Sequence, residues 1–256
     1  MKKLVFLMAG MMLAGCASLP NAKRDPRDPW ERFNRASFKV NDALDRAILR
    51  PTARAYVKVT PRFIRTGISN FFDNLETVTT LVNDTLQGKF GAAGHDTARF
   101  VLNSTLGFGG LLDPATDAGL DKNDEDFGQT LGKWGVSSGP YLMVPLLGPT
   151  TVRDGFGRAA DVFTDPSHYL EDDSTRYTIT AVEVVDLRAG LLDLDDELAQ
   201  SFDRYAFVRN AWLQRREYKV RDGNVEDEPL DEESMLNEEP EAAPDEPASP
   251  PAEPQQ

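Results

Sequence analysis

The chain encodes an all-α body, and three observations say so. Apolar residues recur at three- and four-residue spacing through most of residues 28–106 and 151–219; no clear period-two alternation is found; and Asp, Pro and Gly stand where helices start and stop. Asp28-Pro29-Trp30-Glu31 reads as the first helix start, with Asp as N-cap, Pro in the first turn and Glu three residues after the cap. Trp30, Phe33, Val40, Leu44, Ala47 and Ile48 carry that helix to Arg50-Pro51. Pro61 opens a second helix with Phe63, Ile64, Ile68, Phe71 and Phe72. A third is expected over 75–86, ending at Gln87-Gly88, and a fourth over about 94–106. Residues 107–150 hold Gly and Pro too often for long helices. Helices resume at about 151–163, 174–193 and 196–219. The last is amphipathic, setting Leu198, Phe202, Tyr205, Val208, Ala211 and Trp212 against Arg204, Arg209, Arg215 and Arg216.

Ahead of this body, residues 1–15 read as a signal peptide. Lys2 and Lys3 precede an apolar run too short to span a bilayer, and Leu13-Ala14-Gly15-Cys16 closes it in small residues. Leu-Ala-Gly-Cys resembles the bacterial lipobox, whose cysteine is acylated before cleavage. Cys16 is the only cysteine, so the chain can form no internal disulfide. Acyl chains on Cys16 satisfy the two-signal requirement for stable anchoring. Ala17, rather than Asp, after the cysteine favours the outer membrane as the address.

The net charge of −14 belongs to one end of the molecule. Residues 222–256 hold 13 Asp or Glu and no Lys or Arg, leaving −1 for residues 1–221. With seven prolines and few large apolar side chains, this acidic tail is expected to be disordered. No basic patch offers a nucleic-acid surface. The organisation is therefore a signal peptide (1–15), a lipidated linker (16–27), one helical domain (28–221) and the acidic tail (222–256).

Two uncharged segments stand out. Residues 134–152 run for 19 positions without a charge, long enough to span a membrane, but Pro140, Pro145 and Pro149 with Gly135, Gly139 and Gly148 break any continuous helix. Residues 100–112 form a second uncharged run holding Gly107, Gly109 and Gly110. Either these segments enter one leaflet or line a passage through it, or they are the buried core of a soluble domain. The lipid anchor favours the membrane reading, because non-helical backbone is tolerated at that depth where protein covers it or a wet cavity adjoins it.

Catalytic signals are weak. Gly135-Val136-Ser137-Ser138-Gly139 matches the G-x-S-x-G elbow, with Asp154, Asp165 and His168 following in hydrolase order. That motif needs a strand before the serine and a helix after it, whereas Pro140 follows at once. His95-Asp96 reads as a helix start and His168 as part of a turn, both structural. Asp121-Lys122-Asn123-Asp124-Glu125-Asp126 offers oxygen ligands but lacks the glycine and terminal glutamate of a calcium loop. The Gly107–Gly110 run lacks the strand and Lys-Ser/Thr of a phosphate loop. No cofactor or metal is expected.

Taken together, many separated blocks resemble the MlaA/VacJ lipoprotein family. They are Asp28-Pro29-Trp30-Glu31-Arg32-Phe33-Asn34-Arg35, Asn41-Asp42, Ser69-Asn70-Phe71, Asn74-Leu75-Glu76, Leu86-Gln87-Gly88 and Leu102-Asn103-Ser104-Thr105-Leu106-Gly107. Phe127-Gly128-Gln129-Thr130-Leu131-Gly132, Trp134-Gly135-Val136, Gly139-Pro140-Tyr141 and Arg153-Asp154 continue the match over about residues 26–217. The resemblance implies a ring- or disc-like helical lipoprotein embedded in the periplasmic leaflet of the outer membrane. It further implies a non-enzymatic channel that removes misplaced phospholipid from the outer leaflet and passes it to a periplasmic lipid carrier, beside a trimeric porin. On that reading Leu106, Gly107, Phe108, Gly109, Gly110, Leu111 and Leu112 form a flexible gate. Tyr141, Leu142, Val144, Leu146 and Leu147 form an apolar wall, and Asn34, Phe38 and Asn41 support the channel. A membrane-bound phospholipase using Ser137 and a lipoprotein that only stabilises a porin are the competing readings.

Overall fold

The computed structural model describes residues 25–224; the signal peptide, Cys16 and all but the first three residues of the acidic tail lie outside the described residues. The body is mainly helical. Helix α1 (Glu31–Leu44) passes through one π-helical turn (Asp45–Leu49) into α2 (Arg50–Val59), which holds Pro51 in its first turn directly after the π-turn. Helices α3 (Arg62–Leu86) and α4 (Phe90–Thr105) pack along one another across a tight turn at Gly88. Short helices α5 (Pro114–Asp117) and α6 (Phe127–Lys133) follow. Strands β1 (Tyr141–Val144) and β2 (Gly148–Thr151) then pair antiparallel, with Tyr141 opposite Thr151 and Val144 opposite Gly148. The chain ends in α7 (Val152–Asp161), α8 (Asp173–Gly190), α9 (Asp195–Gln200) and α10 (Arg204–Val220).

Side-chain caps set many of these starts. Asp113, Asp126, Thr151, Asp172 and Asp203 each accept a backbone N–H three residues on, satisfying a donor that the first helical turn leaves free. Helices α6 and α7 lie so close that a Cβ on Gly157 would sit 2.4 Å from the Gly128 backbone nitrogen. Only glycine permits that approach.

Several expectations need correction. Asp28 does not cap α1: the helix begins at Glu31, and the Asp28 carboxylate is buried, accepting from Asn34, Tyr205 and Arg209. The expected second and third helices are one, running unbroken from Arg62 to Leu86, and Asn74 within it is buried and donates to Ser104 Oγ (3.0 Å). The fourth helix starts at Phe90, so Asp96 lies in its second turn, buried, and caps nothing. The long last helix is two, since Asp203 caps a fresh start at Arg204; Phe202, expected on the apolar face, is fully exposed in the break. The hairpin carries no period-two alternation because both faces of β1 are apolar: Tyr141 and Met143 point inward, Leu142 and Val144 away from them.

The interior is unusual in kind. Among the described residues only six buried side chains are hydrophobic, while nineteen are polar or charged. Tyr141, Met143 and Tyr205 form a small core, backed by Phe38, Val208, Trp212 and Leu213. Much of the polar interior is paired: Arg216 bridges Asp126 and Asp154, Arg99 forks onto Asp113, and Arg209 meets Asp25 and Asp28. Large apolar side chains, Phe63, Phe90, Phe108, Leu146, Leu147, Phe156 and Phe163 among them, are exposed instead. Among the described residues no helix is long and apolar enough to cross a membrane.

Candidate functional site

Asn34, Phe38 and Asn41 share one face of α1, at i, i+4 and i+7. The two amides act on the hairpin as a neighbouring strand would. Asn34 Oδ1 accepts from the Met143 amide (2.8 Å) and its Nδ2 donates to the Tyr141 carbonyl (3.1 Å) and to Asp28 (2.7 Å). Asn41 Nδ2 donates to the Val144 carbonyl (3.0 Å), and its Oδ1 accepts from the Leu146 amide (2.7 Å). Leu146 is left-handed (φ 70°), a conformation that costs a branched side chain strain. The Asn41 bond holds that turn, and Leu146 and Leu147 project into solvent at 77% and 73% exposure.

Behind this tip lies a cavity of about 520 Å³. Phe38, Asn41, Met143, Leu146, Leu147 and Pro149 line one side, and Leu191, Leu194, Leu198, Phe207 and Val208 the other. Its charged groups are paired: Arg188 with Asp45 and Asp195 (2.6 Å each), and Arg204 with Asp42 (2.7 Å). Burial raises the Asp45 carboxyl, and the bonds from Arg188 and Arg50 more than offset this, holding it below the usual range. The π-turn supplies Asp45 and Leu49 to this wall.

The Gly-rich segment forms a separate feature. Phe108, Gly109 and Gly110 are left-handed in succession (φ 54°, 74° and 94°), and a Cβ on Gly110 would meet Asn74 at 2.6 Å. Its stem is tied down: Asn103 accepts from the Ala115 amide and donates to Asp113, and the Gly110 amide donates to the Asn103 carbonyl (2.8 Å). Leu106, Leu111 and Leu112 line a second cavity, of about 780 Å³, against Phe63, Thr66 and Asn70 of α3.

The structure thus brings Phe38, Asn41, Leu146 and Leu147 to one cavity and Leu106, Leu111 and Leu112 to another. Tyr141 belongs to neither: it is wholly buried between Tyr205 and Trp212, so it is core rather than an apolar wall facing a passage. Leu142 and Val144 are half-buried and also line neither. Sequence reading missed Asp45, Arg188, Leu191, Asp195, Leu198 and Arg204. The only signal was the charge on otherwise apolar helical stretches, which reads as a solvated face until tertiary contacts are known.

The remaining candidates are structural in their geometry. Ser137 lies in an exposed loop that runs into β1, not into a helix, so the elbow context is missing. His168 sits in a one-turn 3₁₀ segment, Pro166–Tyr169. Residues 121–126 form a strap whose polar groups are engaged: Lys122 with Asp73, Asn123 with Asp84 and Asp96, Glu125 with Lys89, and Asp126 with Arg216. Burial and the neighbouring Asp96 carboxylate push the Asp84 carboxyl up to about 7.

A helical body with a polar, ion-paired interior, many exposed large apolar side chains and apolar cavities rimmed by charge has the side-chain distribution of a protein that handles amphiphiles. Residues 26–219 match the family model described as MlaA lipoprotein, and the chain belongs to that family. It is 39% identical to the intermembrane phospholipid transport system lipoprotein MlaA of Escherichia coli K12, over 84% of this chain and 86% of that protein. The protein of the same description in Haemophilus influenzae is 31% identical, over 87% and 91%. A solved structure reported as the structural basis for maintenance of bacterial outer membrane lipid asymmetry is 40% identical. It superposes with a TM-score of 0.69 over 77% of this chain and all of that one.

Proposed function

We propose that this chain is the lipid-anchored outer-membrane component of a phospholipid transport system. It removes mislocalised phospholipid from the outer leaflet and passes it to a periplasmic carrier, maintaining lipid asymmetry. The observation that carries this reading is the inverted distribution of side chains. Exposed Phe63, Phe108, Leu146, Leu147 and Phe156 suit contact with acyl chains, while the charge-rimmed cavity behind the hairpin tip suits a head group. The names of the E. coli and H. influenzae relatives support it. Acylated Cys16 holds the body in the periplasmic leaflet, and a trimeric porin stands beside it. The segment 106–112 serves as the gate, and Leu146 and Leu147 as the part of the wall that meets lipid. No catalytic step is needed: lipid crosses intact.

The test is deletion of the gene, followed by head-group labelling of phospholipid on intact cells. Surface phospholipid is expected to rise, and to fall again with the wild-type chain but not with Cys16→Ser. Unchanged surface phospholipid in the deletion sinks the reading.

A further inference from the structure

The charged rim of the 520 Å³ cavity is paired but not saturated. Arg50, Arg188 and Arg204 line it, with Asp42, Asp45 and Asp195 as partners. Arg46 and Arg54 join the same network through Asp42 and Asp195, so five guanidiniums share three carboxylates. The surplus is visible atom by atom. Arg188 Nη1 and Arg204 Nε are buried and have no hydrogen-bond acceptor. Arg50 Nε faces Asp195 Oδ2 at 3.4 Å, and neither atom makes a hydrogen bond. A buried N–H without an acceptor is a cost that a fold normally avoids. Here such donors recur around one cavity whose other walls are Phe38, Leu191, Leu198 and Val208.

An acceptor that fits must be anionic, offer several oxygens to guanidinium forks, and carry an apolar part into the cavity. A phosphodiester on a diacylglycerol has all three properties, and arginine forks match its oxygens better than a point charge does. The volume lies within the roughly 300–1,000 Å³ typical of small-ligand pockets, which suits a length of acyl chain rather than a whole two-chain lipid. Resting on the transport reading above, we propose that this cavity is a phospholipid subsite: Arg188 and Arg204 receive the phosphodiester, and an acyl segment lies against Phe38, Leu191, Leu198 and Val208. Asp42 and Asp45 hold the two guanidiniums in place while the subsite is empty and yield part of their bonding when the phosphate enters.

The experiment uses the purified full-length lipoprotein in a phosphate-free detergent. Spin-labelled phosphatidylglycerol and spin-labelled diacylglycerol of the same chains are titrated separately, with immobilisation of the label as the readout. The wild type is expected to bind phosphatidylglycerol about tenfold more tightly than diacylglycerol, the contribution of a charge-assisted hydrogen bond or two. Arg188→Gln with Arg204→Gln is expected to abolish that preference and leave diacylglycerol binding unchanged; Arg188→Lys with Arg204→Lys is expected to restore part of it. A Gln variant that keeps the preference, or loses both lipids equally while its helical circular dichroism is intact, overturns the proposal. Should the Gln variant not fold, Leu191→Trp decides, since it fills the cavity and leaves the ion pairs alone. It is expected to lose both lipids, and retained binding overturns the siting. Inorganic phosphate is expected not to displace the lipid; displacement would mark a free-anion site and overturn the lipid assignment. A wild type that binds neither lipid defeats the transport reading as well, whereas a wild type that binds both equally defeats only this subsite.

Discussion

Asn34 on α1 and Met143 on β1 are joined by a 2.8 Å bond from the Met143 amide to Asn34 Oδ1, across 109 residues of sequence. Asn34 Nδ2 donates to Asp28 and to the Tyr141 carbonyl, so one buried side chain joins the N-terminal segment, the first helix and the hairpin. Asn34→Ala leaves the Met143 N–H, the Tyr141 carbonyl and one Asp28 oxygen without this partner. Leaving a single buried group unpaired costs about 1–3 kcal/mol, so a loss of about 3 kcal/mol or more is expected, read as a lowered denaturation midpoint. An unchanged midpoint would mean that the hairpin is held chiefly by its own packing.

The paired carboxylates Asp84 and Asp96 give a pH dependence of definite sign. Asn123 Nδ2 donates to both, at 3.1–3.2 Å, and the Asp84 carboxyl rises from 3.8 to about 7. The folded state therefore keeps a proton that the unfolded chain has released above pH 3.8. Its contribution to stability is fully present below that pH and is lost as pH rises through about 7. Asp161, raised to about 6 chiefly by burial, acts in the same direction over a narrower window. Stability measured by denaturant unfolding is expected to fall between pH 6 and 7 in the wild type and to stay flat there in Asp84→Asn. Equal slopes in the two proteins would show that Asp84 ionises normally.

Gly109 and Gly110 are both left-handed, but only Gly110 has a neighbour in the way. Gly109→Ala is expected to cost about 1 kcal/mol, the strain of a Cβ in that region. Gly110→Ala adds a contact of 2.6 Å with Asn74 Cβ, in a side chain already bonded to Ser104, and should cost clearly more. Thermal unfolding of the two variants side by side checks the order; a reversed order would place the strain elsewhere in the segment.

Ser137 is exposed in a loop between α6 and β1. Ser137→Ala is expected to leave stability within about 0.5 kcal/mol, as surface substitutions away from special features do, and to leave incubated phospholipid intact as in the wild type. Lysophospholipid produced by the wild type and abolished in the variant would revive the hydrolase reading.

Most helices were legible in the sequence because their signals are local. Periodicity marks α1 and most of α3 and α10, whereas the two starts read from Asp28 and from His95-Asp96 fall elsewhere in the structure. The charge step at Asp222 is likewise written in adjacent residues. Errors arose where a residue answers to a distant partner. Asp28 looks like a cap and instead meets Tyr205 and Arg209; Asp96 looks like part of a helix start and instead lies buried in α4, bonded by Asn123. The cavity is the extreme case. Asp45 and Arg188 lie 143 residues apart, and neither is distinguishable by itself from an ordinary surface charge. The sequence by itself determined which segments are helical and which stretches carry no charge. Only the tertiary structure decided that the polar residues face inward, that Asn34 and Asn41 hold the hairpin, and which arginines meet at an apolar cavity. The physical reason is range: helix propensity and capping act within a few residues, whereas burial, charge pairing and the lack of an acceptor depend on what the folded chain brings alongside.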